Sequence, residues 1–348
     1  MSTDRINRQW TVAARPDPEL GREHFGYREA PVGTPGEGEA LLKTLYLNVA
    51  PVMRMYMMAD GAGESTEAAL AIGDVIHGRG VAEVIESRHP ELSVGDYVHG
   101  QIGWQTYKVS ALTPQEKFVR MRPRGVPVWY GLSALGMTGY SAYCGLVSRG
   151  APSPGDAVLV SGAAGGVGSL VVQIAKALGC GPVVGLAGTD DKCRRVAELG
   201  ADAMINYRDD DVAASVADLL PDGIDVYFDN VGGETLEVAL DHLAYGARIV
   251  LCGSISEYTR DEAFGPRNYT KLRAKNADMR GFFVYNHADE FDAAEARLAD
   301  WIRDGRLRAL VDFCDGFDAM PEALIGLYSG TNTGKRIVRV TGGDDPVW

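Results

Sequence analysis

Residues 158–179 read VLVSGAAGGVGSLVVQIAKALG, an apolar run ending at Gly162, then glycines at 165, 166 and 168, then a helical pattern. Glycine lets the chain turn tightly there and lets backbone N–H groups approach a pyrophosphate. A third glycine allows helix and strand to pack closely, and the helix N-terminus adds partial positive charge. A Gly-x-x-Gly-x-x-Gly spacing alone also fits an ordinary tight turn. Lying between a predicted strand and a predicted helix, it reads as the loop of a dinucleotide site.

Working outward, strand and helix patterns alternate on the C-terminal side. Strands PVVGLAG, AMINY, IDVYFDN and ARIVLCG are separated by helices DDKCRRVAELG, VAASVADLL and ETLEVALDHL, and MRGFFVY and FDAAEARLADWIRDG follow. Such alternation predicts α/β architecture with a doubly wound parallel sheet. On the N-terminal side, LSALGMTGYSAYCGLVSRG reads as helix and APSPGD as a turn. Earlier still, EALLKTLYLNV, GRGVAEVIES, DYVHG and WQTYKVS are closely spaced β-like runs between Gly, Pro and acidic turns, which suit a small barrel or sandwich. The tail, ALVDFCDGF to KRIVRVTG, returns to short β-like runs. The expected domains are residues 1–125 with 311–348, and 126–310.

The tip of the second strand selects the cofactor. NAD sites usually carry an acid about 20 residues beyond the glycines, bonded to the ribose 2′-OH. Here PVVGLAGTDDK puts Gly188 and Thr189 in that place, leaving room for a 2′-phosphate. Lys192 in the next helix and Tyr207 in INYRDD could meet that phosphate, which predicts NADP(H) over NAD. Asp190 and Asp191 suit an N-cap and first helical turn. Lys192 alone would read as a solvated helix residue.

Composition sets bounds. The chain has 348 residues, 46% hydrophobic and 23% charged, enough for two domains with cores of ordinary size. A formal net charge of −13 argues against nucleic-acid or anionic-membrane partners, which need a basic surface. Cys144, Cys180, Cys193, Cys252 and Cys314 are scattered, as suits reduced thiols in a cytosolic protein. MSTDRINRQW lacks an apolar signal core, and no run approaches about 18 uncharged apolar residues, so the expected location is cytoplasmic.

A barrel-like domain followed by a nucleotide domain resembles the medium-chain dehydrogenase/reductase superfamily. Its zinc members need a catalytic Cys and His and a four-cysteine lobe, yet no cysteine precedes Cys144 here. Where those members carry Gly-His-Glu, this chain reads VIHGRGVAEV, and His77 and His99 lack ligand partners at useful spacing. The expectation is a metal-free site in which hydroxyl or backbone groups polarise a carbonyl.

LNVAPVMRMYM, LGMTGYSAYCGL, SGAAGGVGSLVVQIAKALGC, GIDVYFDNVGGETL, ARIVLCGSISEY, MRGFFVY and GTNTGKRIV together resemble one zinc-free branch, the prostaglandin reductase (leukotriene B4 dehydrogenase) family with its 2-alkenal and curcumin reductases. The resemblance implies a Rossmann domain plus a GroES-like β-barrel-type catalytic domain, and a homodimer. It implies NADPH-dependent reduction of the carbon–carbon double bond of hydrophobic α,β-unsaturated carbonyl compounds. Gly165, Gly166, Val167 and Gly168 correspond to the pyrophosphate loop, Lys192 and Tyr207 to 2′-phosphate contacts. Asn230 and the run Cys252, Gly253, Ser254, Ile255, Ser256 to Tyr258 fall beside the cofactor. Phe282, Phe283 and Val284 fall at the nicotinamide pocket, Asn332 in the returning tail, and Asn48 in the corresponding first-domain strand. Tyr258 matches a tyrosine that, with the cofactor ribose, holds the substrate oxygen. Read without the family, Asn230 is a turn residue, Phe282 and Phe283 are core, and Tyr258 is a loop tyrosine.

The chain departs from the family's Asp-Pro-Tyr-Met-Arg by reading Ala50-Pro51-Val52-Met53-Arg54. Val52 removes a hydroxyl and leaves an apolar wall, with Met53, Met55, Met57 and Met58 as gap fillers or pocket lining. Trp104, Tyr107 and Tyr269 are candidate pocket aromatics. Quinone reduction, allylic alcohol oxidation by NADP+, and NADPH binding without turnover by a sensor or structural protein are the alternatives.

Overall fold

The computed structural model describes residues 5–17, 19–58, 67–122, 124–258, 264–342 and 345–347; residues 1–4 of the N-terminal stretch lie outside them. Contacts divide the chain into two units. One runs to Leu132 and includes Asp312–Asn332 and the chain from Arg336, and the other comprises Ser133–Val311 and Thr333–Lys335. Thus three residues of the tail count with the second unit. Gly334 N donates to Ala164 O at 2.7 Å and Lys335 N to Leu310 O at 2.8 Å.

The second unit is a six-stranded parallel sheet. Its order is Ala203–Asn206, Val183–Ala187, Val158–Val160, Ile224–Asp229, Leu243–Leu251, Asp278–Gly281. Numbered by position in the chain, that order is 3-2-1-4-5-6, the doubly wound arrangement. The first two central strands, VLV and VVGLA, are buried along their whole length, as strands covered on both faces must be. Helices Gly166–Ala177, Asp190–Ala197, Val212–Leu219 and Gly233–Asp241 make the crossovers. Val216, Leu236, Ala239 and Leu240 from two of these helices join Leu159, Val184, Leu186, Tyr227 and Ile249 of the sheet in one apolar cluster. In a parallel sheet every strand ends at the same edge. All six C-terminal tips therefore emerge together, with the order reversing between Val158–Val160 and Ile224–Asp229, where ligands of such sheets bind.

In the β-rich unit the pairings from Lys335–Arg339 onward are antiparallel, while the bonds of Val311–Asp315 to Lys335–Arg339 advance in the same direction along both strands. A path runs Val311–Asp315, Lys335–Arg339, Ala40–Asn48, Arg79–Ser87, Tyr97–Gln101, Val119–Arg120, with Tyr107–Ser110 also on Ala40–Asn48. Ile6–Val12 and Phe25–Pro31 form a separate pair. One expectation fails in the tail, which is not β-like throughout. Met320–Tyr328 is a helix, because Met320, Ala323, Leu324 and Leu327 recur at helical spacing and bury against Trp10, Val49 and Val338. Among the described residues no helix is long and apolar enough to cross a membrane.

Candidate functional site

The glycine loop is built by contact. Gly165 caps helix Gly166–Ala177. A Cβ on Gly168 would stand 2.3 Å from Gly162 O and 2.8 Å from Ala163 Cα, so only glycine lets the helix start this close to the strand. The first N–H groups of that helix have no intrahelical acceptor and can face an anion.

The tips of the next two strands meet. Tyr207 N donates to Ala187 O at 3.0 Å, and the Tyr207 hydroxyl lies 2.6 Å from where a Gly188 Cβ would be. A side chain at 188 would therefore displace the phenol. Thr189 is the N-cap, its hydroxyl accepting from Lys192 N at 3.3 Å, which sets Lys192 in the first turn of helix Asp190–Ala197. The two acids are committed elsewhere. Asp190 accepts from Asn206 Nδ2 at 2.8 Å, and Asp191 pairs with Arg194 and Arg195. Arg208, which the sequence reading passed over, brings Nε to 3.3 Å from the Gly188 Cβ position. Its signal was the basic residue directly after Tyr207. The Tyr207 phenol and the Arg208 guanidinium at one strand tip, with Lys192 in the first turn of the adjoining helix, fit a phosphate monoester on a nucleotide.

At the reversal point, Asp229 organises the third tip, and the sequence reading missed it too. Its fully buried Oδ1 accepts from Ser161 Oγ (2.8 Å), Tyr227 Oη (2.9 Å), Val231 N and Gly232 N (both 3.0 Å). Its Oδ2 is buried without a hydrogen-bond partner. Ser161 Oγ in turn accepts from Asn230 N, and Asn230 Nδ2 donates to Ser161 O, both at 2.8 Å. Asn230 is thus tied to the base of the glycine loop.

The run after Leu243–Leu251 lies against that loop. Cys252 N donates to Asp229 O at 2.9 Å, Ser256 N to Val231 O at 3.1 Å, and Ser256 Oγ to Val231 O at 2.6 Å. Gly253 approaches Asn230, Ser254 packs on Gly232, and Ile255 N reaches Asn230 O at 3.4 Å. Tyr258 ends this run half-buried. Burial, with the Asp229 charge adding, pushes the Cys252 thiol up to about 12, so it remains a thiol at neutral pH. All five cysteines are free. Phe282 N donates to Leu251 O at 3.3 Å, and the Phe282 ring stands 5.4 Å from the buried His287 ring. Phe283 is exposed and Val284 half-buried at the last tip. The structure therefore gathers residues from the strand tips of one sheet that lie as far apart in the chain as Ser161 and Val284.

Other candidates are placed differently. Asn48 ends strand Ala40–Asn48 opposite Ile337, with Oδ1 buried and unpaired. Asn332 lies half-buried just before Thr333–Lys335. Val52 is the half-buried first residue of helix Val52–Tyr56, whose preceding carbonyl, Pro51 O, accepts from Tyr328 Oη at 2.6 Å. Met53 and Met57 are core, whereas Met55 and Met58 are partly exposed. Trp104 is corrected: it is fully buried and stacked on Phe25 at 5.7 Å, so it has no surface to offer a substrate. Tyr107 is half-buried at the head of its strand. Tyr269 is 62% exposed in the turn before helix Lys271–Lys275, beside Asn268, which bonds Glu237 O.

Among the described residues no three His, Cys, Asp or Glu side chains gather as metal ligands. His77 Nε2 bonds Ala68 O at 3.2 Å, and burial lowers its pKa. His99 is buried, and burial together with the Arg79 charge lowers it to about 3.

Comparison with known proteins agrees with this architecture. A family model described as zinc-binding dehydrogenase matches residues 166–300, and one described as the N-terminal domain of oxidoreductase matches residues 8–118. The chain is 36% identical over 345 residues to an Escherichia coli protein named NADPH-dependent curcumin reductase, covering 97% of this chain and 98% of that one. It is 37% identical over 308 residues to a Nicotiana tabacum protein named 2-alkenal reductase (NADP(+)-dependent), covering 88% of each. The crystal structure of CurA in complex with NADPH from Vibrio vulnificus superposes with a TM-score of 0.88 at 34% identity, over 97% of this chain and all of that one. The chain belongs to the zinc-free medium-chain dehydrogenase/reductase family, in the branch of the curcumin, 2-alkenal and prostaglandin reductases.

Proposed function

We infer that this chain is an NADPH-dependent oxidoreductase that reduces the carbon–carbon double bond of α,β-unsaturated ketones and aldehydes. The observation that carries the cofactor half is the Tyr207 phenol laid on Gly188, with both neighbouring acids paired elsewhere. The names of the relatives support the substrate half. When bound, reduced nicotinamide supplies the hydride for the substrate's β-carbon, and solvent supplies the proton for its α-carbon.

The chain's own residues bind and orient. In the loop Gly165, Gly166, Val167 and Gly168, the backbone N–H groups of the last three take the pyrophosphate, while Gly165 N donates to Gly162 O at 2.9 Å and shapes the turn. Lys192, Tyr207 and Arg208 take the 2′-phosphate, and Gly188 and Thr189 leave it room. Asn230 and Cys252–Ser256 border the cofactor, with Phe282, Phe283 and Val284 as apolar wall and Asn48 and Asn332 as further contacts. Val52 and Tyr269 offer surface to a hydrophobic substrate. Tyr258 donates its hydroxyl to the carbonyl oxygen as negative charge builds there, a placed donor worth on the order of 3 kcal/mol. The same reading makes the protein a cytoplasmic homodimer, with the open strand Asp278–Gly281 or Ala203–Asn206 as the contact, and light scattering reads its mass.

The test is an NADPH absorbance assay over an enone series, a quinone series and an allylic alcohol run backwards. Enones turn over fastest, and kcat/KM with NADPH exceeds that with NADH by about ten-fold or more. Faster quinone turnover makes the protein a quinone reductase, and NADPH binding without turnover on any substrate makes it a sensor. Tyr258→Phe lowers enone reduction by about ten-fold or more with NADPH affinity little changed. An unaltered rate removes Tyr258 from the chemistry.

A further inference from the structure

The last strand of the nucleotide sheet, Asp278–Gly281, hands over to Phe282, Phe283 and Val284 at the edge where ligands of such sheets bind. Phe282 is half-buried, so part of its ring stays open. The chain continues as a 3-10 helix, Val284–Glu290, interrupted at His287, whose φ of −117° and ψ of 25° are not helical. Runs of such helix beyond about three or four residues are uncommon, because their hydrogen bonds are poorly aligned. This interrupted seven-residue segment is anchored by side chains.

The anchor is a π-helix, Cys144–Gly150, which continues helix Met137–Tyr143. Such widened turns recur at functional sites. Arg149 Nε donates to His287 Nε2 at 3.3 Å, which leaves the ring hydrogen on Nδ1. His287 Nδ1 then donates to Glu290 Oε1 at 2.7 Å, and Ser148 Oγ donates to Glu290 Oε2. The His287 bond first, and the Ser148 bond next, hold the Glu290 carboxyl below the usual carboxylate range. His287 is only 7% exposed, and a buried imidazole bonded at both nitrogens is fixed in tautomer and orientation. The π-helix is itself fastened to the sheet. Arg280, on the last strand, donates to Arg149 O at 2.9 Å, and Arg248 Nε donates to Gly150 O at 3.0 Å.

Both ends of this arrangement reach Phe282. The His287 ring stands 5.4 Å from the Phe282 ring. At Gly145 a Cβ would lie 3.1 Å from Phe282 Cε1 and 2.8 Å from Phe228 Cε2, so the bare glycine lets Phe282 rest on the π-helix. We propose that Arg149, His287, Glu290 and Ser148 are positioning residues for the substrate, fixing segment 282–290 and with it the Phe282 wall on which the apolar body of an enone rests. The proposal rests on the enone reading above and names what sets that pocket wall. The four residues act through Phe282 and take no part in hydride transfer.

Steady-state kinetics of the intact protein on two methyl ketones, benzylideneacetone and methyl vinyl ketone, reads this. The pair shares the reacting enone and differs in the phenyl group that reaches the wall. His287→Leu raises KM for benzylideneacetone about ten-fold with kcat little changed, as for uniform binding lost with about one or two hydrogen bonds behind the wall. Its KM for methyl vinyl ketone and its affinity for NADPH stay within about two-fold of wild type. Glu290→Ala, at a partly exposed position, repeats the selective loss and carries the test if His287→Leu fails to fold. Glu290→Gln, which still accepts from His287, keeps most of the wild-type KM. Phe282→Leu also raises KM for benzylideneacetone, and its double variant with His287→Leu loses no more than the worse single one. Equal changes for the two ketones, or fully additive losses in the double variant, would overturn the proposal. A wild type that reduces neither ketone would instead overturn the enone reading.

Discussion

Gly168→Ala raises the dissociation constant for NADPH about a hundred-fold, on the order of 3 kcal/mol, the upper range for forcing a methylene into a packed site. The new Cβ would sit 2.3 Å from Gly162 O and 2.8 Å from Ala163 Cα, both backbone atoms with no rotamer to move. Relief requires the helix start to move off the strand tip, and with it the N–H groups aimed at the pyrophosphate. Fluorescence titration measures the effect. Gly265→Ala is the matched control, since nothing lies within 4 Å of its Cβ position. If Gly168→Ala binds NADPH as the control does, the close helix start is not what makes the phosphate site.

The second large effect is at Asp229. Asp229→Ala removes the acceptor of Ser161 Oγ, Tyr227 Oη, Val231 N and Gly232 N together, and leaves these buried or partly buried donors without a partner. Leaving such groups unsatisfied costs about 1–3 kcal/mol each in isolation. Because the loop relaxes and some donors find water, we expect a total of about 3 kcal/mol, and a fall of roughly 6–12 °C in the unfolding midpoint of a unit this size. Asp229→Asn keeps an oxygen in place for the same donors and loses about half as much or less. NADPH affinity falls with Asp229→Ala too, since Asn230 and the Cys252–Ser256 run hang on this carboxylate's loop. Calorimetric melting of both variants decides it. Equal midpoints for Ala and Asn would mean that the acceptor oxygen is not what holds the loop.

Local pattern carried far in this chain. The strands VLV, VVGLA, AMIN, IDVYFD and the helices between them were legible because a doubly covered parallel strand must be apolar throughout, and because its connection must be a helix. Gly188 with Thr189, and Tyr207 beyond the next helix, were legible as a pair because strand tips of a doubly wound sheet share one edge. The helix Met320–Tyr328 was not. Nine residues of mixed apolar character between β-like runs satisfy either period, and only burial against Trp10, Val49 and Val338 selects the helix. Trp104 fared similarly, since an aromatic in a β-rich segment reads alike whether it lines a pocket or fills a core. Its stacking on Phe25, 79 positions away, decides for the core.

By itself, then, the sequence determined the alternation of strands and helices in the nucleotide unit, the position of the glycine loop and the kind of cofactor, because each follows from chemistry repeated within a few residues. Tertiary structure alone decided which side chains hold the loops. Asp229 meets Ser161 across 68 positions, Arg208 reaches Gly188 across 20, and Lys335 lies on Gly166 across 169. Nothing in the spacing of those residues predicts their contact. A hydrogen bond or a buried charge depends on distance in space, and the parallel sheet, not the chain, sets that distance.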